Sequence, residues 1–289
     1  MTSTREWYLG ARPKTLPAAI APVIAGTGLA AAAKRFDLGT AAAALVVALA
    51  IQVATNYAND YSDGIRGTDD TRVGPMRLVA SGAATAGAVK RAAVLSFLVA
   101  GIAGIALAVI VSPWLIIVGA ASISAGWLYT GGPKPYGYYG LGEVFVFVFF
   151  GLVATCGTYY VQARSIDSWS LLVGAEMGLL SVAILVANNL RDIDGDKFNN
   201  KHTLAVRLGA ERTRLLYSAV VALSFLCILV LGLKFRFALG ALISVLAALV
   251  PIKTVRSGAT GRDLLPVLAG TSRLLLLQAV LIGAGLALS

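Results

Sequence analysis

Charge is what this sequence has least of. Only 13% of its 289 residues are Asp, Glu, Lys or Arg, against roughly 25% in a soluble domain, which excludes an ordinary water-soluble globule. Histidine occurs once and cysteine twice. Cys156 and Cys227 stand singly in different apolar runs, which excludes a disulfide framework or thiolate metal site and leaves core packing as the expectation. His202 lies without partners beside Lys201 in a polar loop, so a solvated side chain is expected there. No cleavable leader is visible: Arg5, Arg12, Pro13 and Lys14 precede the first apolar run and no small-residue cleavage site follows. That run is expected to remain as a helix.

What the sequence has in abundance is hydrocarbon, at 58% hydrophobic residues. Apolar runs lie near 15–33, 40–60, 89–111, 114–129, 141–162, 170–190, 211–233, 237–254 and 264–286, most of them close to the roughly 20 residues that cross a bilayer as a helix. The pattern predicts an all-α membrane protein, one domain over 1–289, with nine transmembrane helices around a central cavity. The net charge of +10 comes from Lys and Arg in the loops between these runs, so anionic membrane lipid and phosphate, not nucleic acid, are the expected partners. With nine spans, Lys34, Arg35, Arg164, Lys234 and Arg236 fall on one side, Arg273 lies within the last helix, and every other basic residue falls on the opposite side. The positive-inside rule then puts the N-terminus in the cytoplasm and the C-terminus outside the cytoplasmic (inner) membrane. The long loops near 61–88 and 191–210 share the cytoplasmic face, where the cavity is expected to open.

Acidic residues gather at the ends of two of these runs. The second reads Asn56-Tyr-Ala-Asn59-Asp60-Tyr-Ser-Asp63-Gly-Ile-Arg-Gly-Thr-Asp69-Asp70, and the sixth Asn188-Asn189-Leu-Arg191-Asp192-Ile-Asp194-Gly-Asp196. Asn59 stands four residues before Asp63, Asn188 four before Asp192, and Asp192 four before Asp196, a step that puts side chains on one helical face. Asp70 and Asp194 fall off these rows. The two segments lie four helices apart, so both rows emerge on the same side, as from an internal duplication, and are expected to face each other. Facing carboxylates repel unless a cation neutralises them, and Mg2+ characteristically bridges one or two carboxylates to substrate phosphates. Arg66, Arg72 and Arg77 follow the first row, while Arg191, Lys197 and Lys201 flank the second, and Arg suits bidentate phosphate recognition.

A third segment runs from Tyr129 through Lys134, Tyr136, Tyr138 and Tyr139 to Glu143. Its tyrosines suit either an interfacial belt or a pocket that stabilises positive charge by cation–π contact. Lys134 would meet phosphate or an acidic substrate group, and Glu143 either starts a helix or orients substrate. Glu176, nearer the outer end of the sixth run, is expected to snorkel to the outer interface.

These features resemble the UbiA superfamily of intramembrane prenyltransferases, in the nine spans, the Asn59-Asp60-x-x-Asp63 motif and the Asp192-x-x-x-Asp196 motif. Most members carry a further acid where this chain has Gly67, with Asp69 following two residues later. That displacement is similar to the menaquinone branch, as are the stretches Ala11–Pro17, Tyr129–Glu143 and Lys201–Gly209. The resemblance implies that Asp60, Asp63, Asp192 and Asp196 are catalytic and hold Mg2+ on a polyprenyl diphosphate, with Asn56, Asn59 and Asn188 orienting ligands and Asp69 a further candidate. Arg72, Arg77, Arg191 and Lys201 would neutralise the diphosphate. Tyr61, Tyr129, Lys134, Tyr136, Tyr138, Tyr139 and Glu143 would form the aromatic pocket.

The implied reaction transfers the prenyl group to 1,4-dihydroxy-2-naphthoate with loss of carbon dioxide and diphosphate, giving demethylmenaquinone. Branches acting on 4-hydroxybenzoate or homogentisate share the metal motifs and remain alternatives. A CDP-alcohol phosphotransferase fits less well, because Asp63-Gly64 does not continue as Asp-Gly-x-x-Ala-Arg. A secondary transporter also fits less well, because the acids sit at the boundary and no broken helix pair is evident.

Overall fold

A computed structural model describes residues 2–68, 74 and 76–289. Among the described residues there are helices and no strands, as expected where every backbone polar group must be satisfied inside the chain. The helices are α1 (Thr4–Gly10), α2 (Pro17–Ala32), α3 (Leu38–Ile65), α4 (Ala86–Ile110), α5 (Trp114–Leu128), α6 (Gly142–Ala163), α7 (Ser168–Arg191), α8 (Ile193–Phe198), α9 (Leu204–Leu231), α10 (Arg236–Arg256) and α11 (Gly261–Ala287). Their starts follow capping chemistry: Asp37, Thr85, Asp167 and Thr203 each accept a backbone amide from the first turn of the helix that follows.

Among the described residues seven helices, α3, α4, α6, α7, α9, α10 and α11, are long and apolar enough to cross a membrane. The count rises to eight if the N-terminal segment and α2, bent by 50°, act as one broken span. The fourth expected span is α5, whose 15 residues rise only about 22 Å at 1.5 Å each. Exposed Leu95, Leu98, Ile102, Ile105 and Val109 mark one side of α4 at helical spacing, an outer face suited to hydrocarbon.

Helix α7 is the centre of the bundle, packed by α2, α6, α9 and α11. Its contact with α6 depends on glycine, since a Cβ on Gly151 would come within 2.5 Å of Gly178 Cα and 2.6 Å of Gly174 O. The expected snorkelling of Glu176 does not occur. Neighbouring helices cover the face of α7 that carries Glu176, so Glu176 is wholly buried and neither carboxylate oxygen has a partner. Cys156 and Cys227 are free thiols, and His202 is exposed in its loop.

Among the described residues, α6 departs from α geometry within its length and α10 at its start. Phe147–Val153 in α6 winds as a π-helix, a distortion often found beside functional sites. α10 begins as a 3-10 segment over Arg236–Ser244.

Candidate active site

Helix α3 runs past the expected boundary at residue 60 to Ile65, so its acidic end stays helical and the four-residue step holds. Gln52, Asn56, Asn59 and Asp63 share one face and line cavities within the bundle, with Thr55 beside them. The second row is built differently. α7 stops at Arg191, Asp192 caps it, and the chain re-enters helix at Ile193. Asn188, Asp192 and Asp196 nevertheless line one polar cavity of about 460 Å³ with Asn59 and Asp63, and Asp194 joins them although it lies off the row.

Asp63 is the hub of this cavity. Its Oδ1 accepts from the Tyr138 hydroxyl at 2.7 Å and from Lys201 Nζ at 3.1 Å, and Arg77 Nη2 stands 3.9 Å from Oδ2. Lys201 also sits 4.6 Å from the centre of the Tyr138 ring. Burial disfavours the Lys201 ammonium, but Asp63 above all, then Tyr138 and Asp196, outweighs it and holds the lysine pKa above its ordinary value. Burial, then the charge of Asp63, pushes the Tyr138 phenol up, so it stays a neutral donor. On the opposite wall Arg191 grips Asp192 through two parallel bonds of 2.7 and 2.6 Å. Asn59 Oδ1 accepts from Thr130, and Thr203 donates to Asp196 at 3.4 Å.

A second, apolar cavity of about 720 Å³ lies between α2, α3, α5, α6, α7 and α11. It meets the polar one at Arg12, Asn59, Arg77, Tyr129, Asn188 and Arg191, which line both. From Tyr129 an aromatic wall runs inward: Tyr136 edge-on at 5.5 Å, Phe145 stacked on Tyr136 at 3.9 Å, and Phe149 beyond it at 6.0 Å. The arrangement offers an anionic head a basic, oxygen-lined chamber and an apolar tail a continuous greasy one.

Several expected site residues lie elsewhere. Asp60 is fully buried and its two oxygens accept the backbone amides of Leu78 and Val79 at 2.8 and 3.0 Å, so it pins the segment carrying Arg77 and lines neither cavity. One residue of helix turns a side chain by about 100°, which takes Asp60 off the face of Asn59. The same rotation sends Tyr61 toward Trp127 and Lys90. Lys134 and Tyr139 are exposed on the connecting turn and line neither cavity. Glu143 is buried behind the wall, one oxygen held by Asn189 Nδ2 at 2.9 Å. Asn56 donates to Ala11 O and to Thr15, and lines only the apolar cavity. Asp69 and Arg72 lie outside the described residues.

Arg12, Gln52, Thr55, Phe145 and Phe149 also line the apolar cavity, beyond the residues the sequence motifs name. Extending the four-residue rows of α3 backward, from Asn56 to Gln52 and from Asn59 to Thr55, would have found two of them. Arg12 carried no periodic signal. It sits at φ 53°, ψ 66°, a left-handed conformation uncommon outside glycine.

Among the described residues no three acidic, histidine or cysteine side chains gather around one point. The donor set still fits Mg2+, which takes one or two carboxylates together with substrate phosphates and needs no all-protein cage.

A membrane helical bundle with an oxygen-rich polar chamber opening onto an apolar one is the architecture of an intramembrane prenyltransferase. The chain belongs to the UbiA prenyltransferase family, whose family model matches residues 19–263. It is 50% identical over 289 residues to the 1,4-dihydroxy-2-naphthoate octaprenyltransferase of Mycobacterium leprae, covering 100% of this chain and 98% of that one. To the Escherichia coli protein of the same description it is 37% identical, covering 89% and 85%. Its fold is similar to that of a UbiA homolog from Archaeoglobus fulgidus bound to GPP and Mg2+, with a TM-score of 0.69 at 13% identity over 96% of this chain and 99% of that one.

Proposed function

We propose that this chain transfers a polyprenyl group from polyprenyl diphosphate to 1,4-dihydroxy-2-naphthoate, releasing diphosphate and carbon dioxide and forming demethylmenaquinol, the reduced form of demethylmenaquinone. The observation that carries the reading is the junction of the two cavities, at which an anionic head and an apolar tail can be held at once. Identity over 100% and 89% of the chain to two proteins described by that acceptor supports the choice among aromatic acids.

Asn59, Asp63, Asn188, Asp192 and Asp196 would hold Mg2+, which when bound supplies Lewis-acid stabilisation of the negative charge developing on the leaving diphosphate. Arg77, Arg191 and Lys201 face the same chamber and add fixed positive charge. For Asp192, this requires Arg191 to turn from its carboxylate toward the diphosphate. The C1–O bond breaks at the junction, the electron pair leaves with diphosphate, and the allylic cation lies against Tyr129 and the aromatic wall, which stabilise it and exclude water. The electron-rich ring carbon bearing the carboxylate attacks C1, and carbon dioxide departs with its bonding pair returned to the ring. Asp60 positions the Arg77 segment through the Leu78 and Val79 amides.

The reading extends to nine spans in a single domain, with α5 as the fourth, and to an inner-membrane protein whose N-terminus and polar cavity face the cytoplasm. The basic bias of the loops supports that orientation. The test of function is prenyl transfer by the purified protein with Mg2+ and with EDTA. Transfer that needs Mg2+ is expected; transfer undiminished by EDTA sinks the metal assignment, and no transfer sinks the function.

A further inference from the structure

Gln52 and Thr55 line the apolar cavity, yet each carries a buried oxygen with no partner, Oε1 in Gln52 and Oγ1 in Thr55. The residues are 6% and 9% exposed. Unpaired polar atoms at such depth are costly and call for an explanation.

The orientation of the Gln52 amide follows from its neighbours. Asn56 Nδ2 reaches Ala11 O at 2.9 Å, a carbonyl that only accepts, so Asn56 must turn its own oxygen the other way. Gln52 Nε2 lies 3.3 Å from that oxygen and 3.0 Å from Thr15 Oγ1, and Thr15 in turn donates to Arg12 O at 2.9 Å. Every donor of this chain of bonds is thereby directed, and Gln52 Oε1 is the atom left without a partner, on a side chain that lines the cavity. The same bonds tie Arg12 into its left-handed turn, where its Nη2 is also buried without a partner.

We infer that Gln52 and Thr55 are specificity-determining residues that accept hydrogen bonds from the ring hydroxyls of the aromatic acceptor, beside the Arg12 guanidinium. The inference rests on the proposed function. Chemistry decides which substrate fits: a prenyl tail has no donor, and diphosphate repels a carbonyl oxygen. A hydroxylated aromatic acid alone brings O–H donors into an apolar cavity. A site built to bond a hydroxyl discriminates strongly against analogues that lack it, because its own buried oxygen is left unpaired.

The test uses full-length protein in detergent with Mg2+ and polyprenyl diphosphate. Dihydroxynaphthoate is the acceptor, and 1-hydroxy-2-naphthoate and 4-hydroxy-2-naphthoate, each lacking one hydroxyl, are competing ligands. Wild type should bind at least one analogue about tenfold more weakly than dihydroxynaphthoate. Gln52→Met or Thr55→Val should shrink that penalty to under twofold for one analogue while leaving the KM for prenyl diphosphate within twofold. Thr55→Val breaks no hydrogen bond of the protein, so misfolding cannot imitate its effect. Wild-type turnover with the penalty intact in both variants overturns the inference alone, as does a change confined to the prenyl diphosphate KM. Absence of wild-type turnover with dihydroxynaphthoate overturns the functional reading and this inference with it.

Discussion

The carboxylate of Asp63 and the ammonium of Lys201 meet at 3.1 Å across 138 residues of chain, joining the end of α3 to the loop after α8. Both side chains are buried, so the contact is a clasp between the two acidic segments as well as part of the chamber. Removing one partner of a buried pair leaves the other charge uncompensated, a loss of about 3–5 kcal/mol where nothing replaces it.

Asp63→Asn removes the charge that Lys201, Tyr138 and Arg77 share. Turnover should fall about 100-fold or more, and the Mg2+ concentration for half-maximal activity should rise. A titration of prenyl transfer against Mg2+ measures both; a variant with the wild-type Mg2+ midpoint returns Asp63 to a purely structural role.

Asp60→Asn should behave differently, because its carboxylate holds backbone amides and not the chamber. An amide group in place of one oxygen would confront the Leu78 or Val79 N–H. Thermal stability in detergent should drop and the rate should fall through displacement of Arg77, with the Mg2+ midpoint unchanged. A shifted midpoint at full stability would instead make Asp60 a metal ligand.

Tyr129→Leu deletes the ring at the junction while keeping an apolar surface. Loss of cation–π stabilisation is worth about tenfold in rate, and water should compete better for the cation. The ratio of prenyl alcohol to prenylated product, read by chromatography, should increase; an unchanged ratio would remove Tyr129 from the reacting centre.

Much of this was legible in the sequence because helices write their faces at a fixed period. The apolar runs located the helices, and the step from Asn59 to Asp63 placed both on the chamber. Asp60 and Tyr61 lie off the chamber because a motif names neighbours in sequence, whereas one residue of helix rotates a side chain to another face. Glu176 was misread for a related reason: which helix becomes the centre of a bundle depends on how all of them pack, and no local pattern reports it. Arg12 lies in the Ala11–Pro17 stretch, but its place at the site was not legible, because it comes from a turn held by Thr15 and Asn56, a tertiary arrangement without a period.

Gly151→Ala should cost about 1–3 kcal/mol, the usual penalty for overpacking, since the added methyl collides with backbone atoms of α7 and not with a flexible side-chain tip. Comparing unfolding temperatures of the detergent-solubilised proteins checks this. An unaltered temperature would mean that α6 and α7 are not locked at Gly178.

The most direct test of the central claim is to give the purified protein polyprenyl diphosphate and Mg2+ with 1,4-dihydroxy-2-naphthoate, 4-hydroxybenzoate or homogentisate separately, and to identify each product by mass spectrometry. A prenylated, decarboxylated naphthoquinol is expected from the first acceptor and little or no product from the others. Preferential prenylation of 4-hydroxybenzoate or homogentisate would contradict that claim.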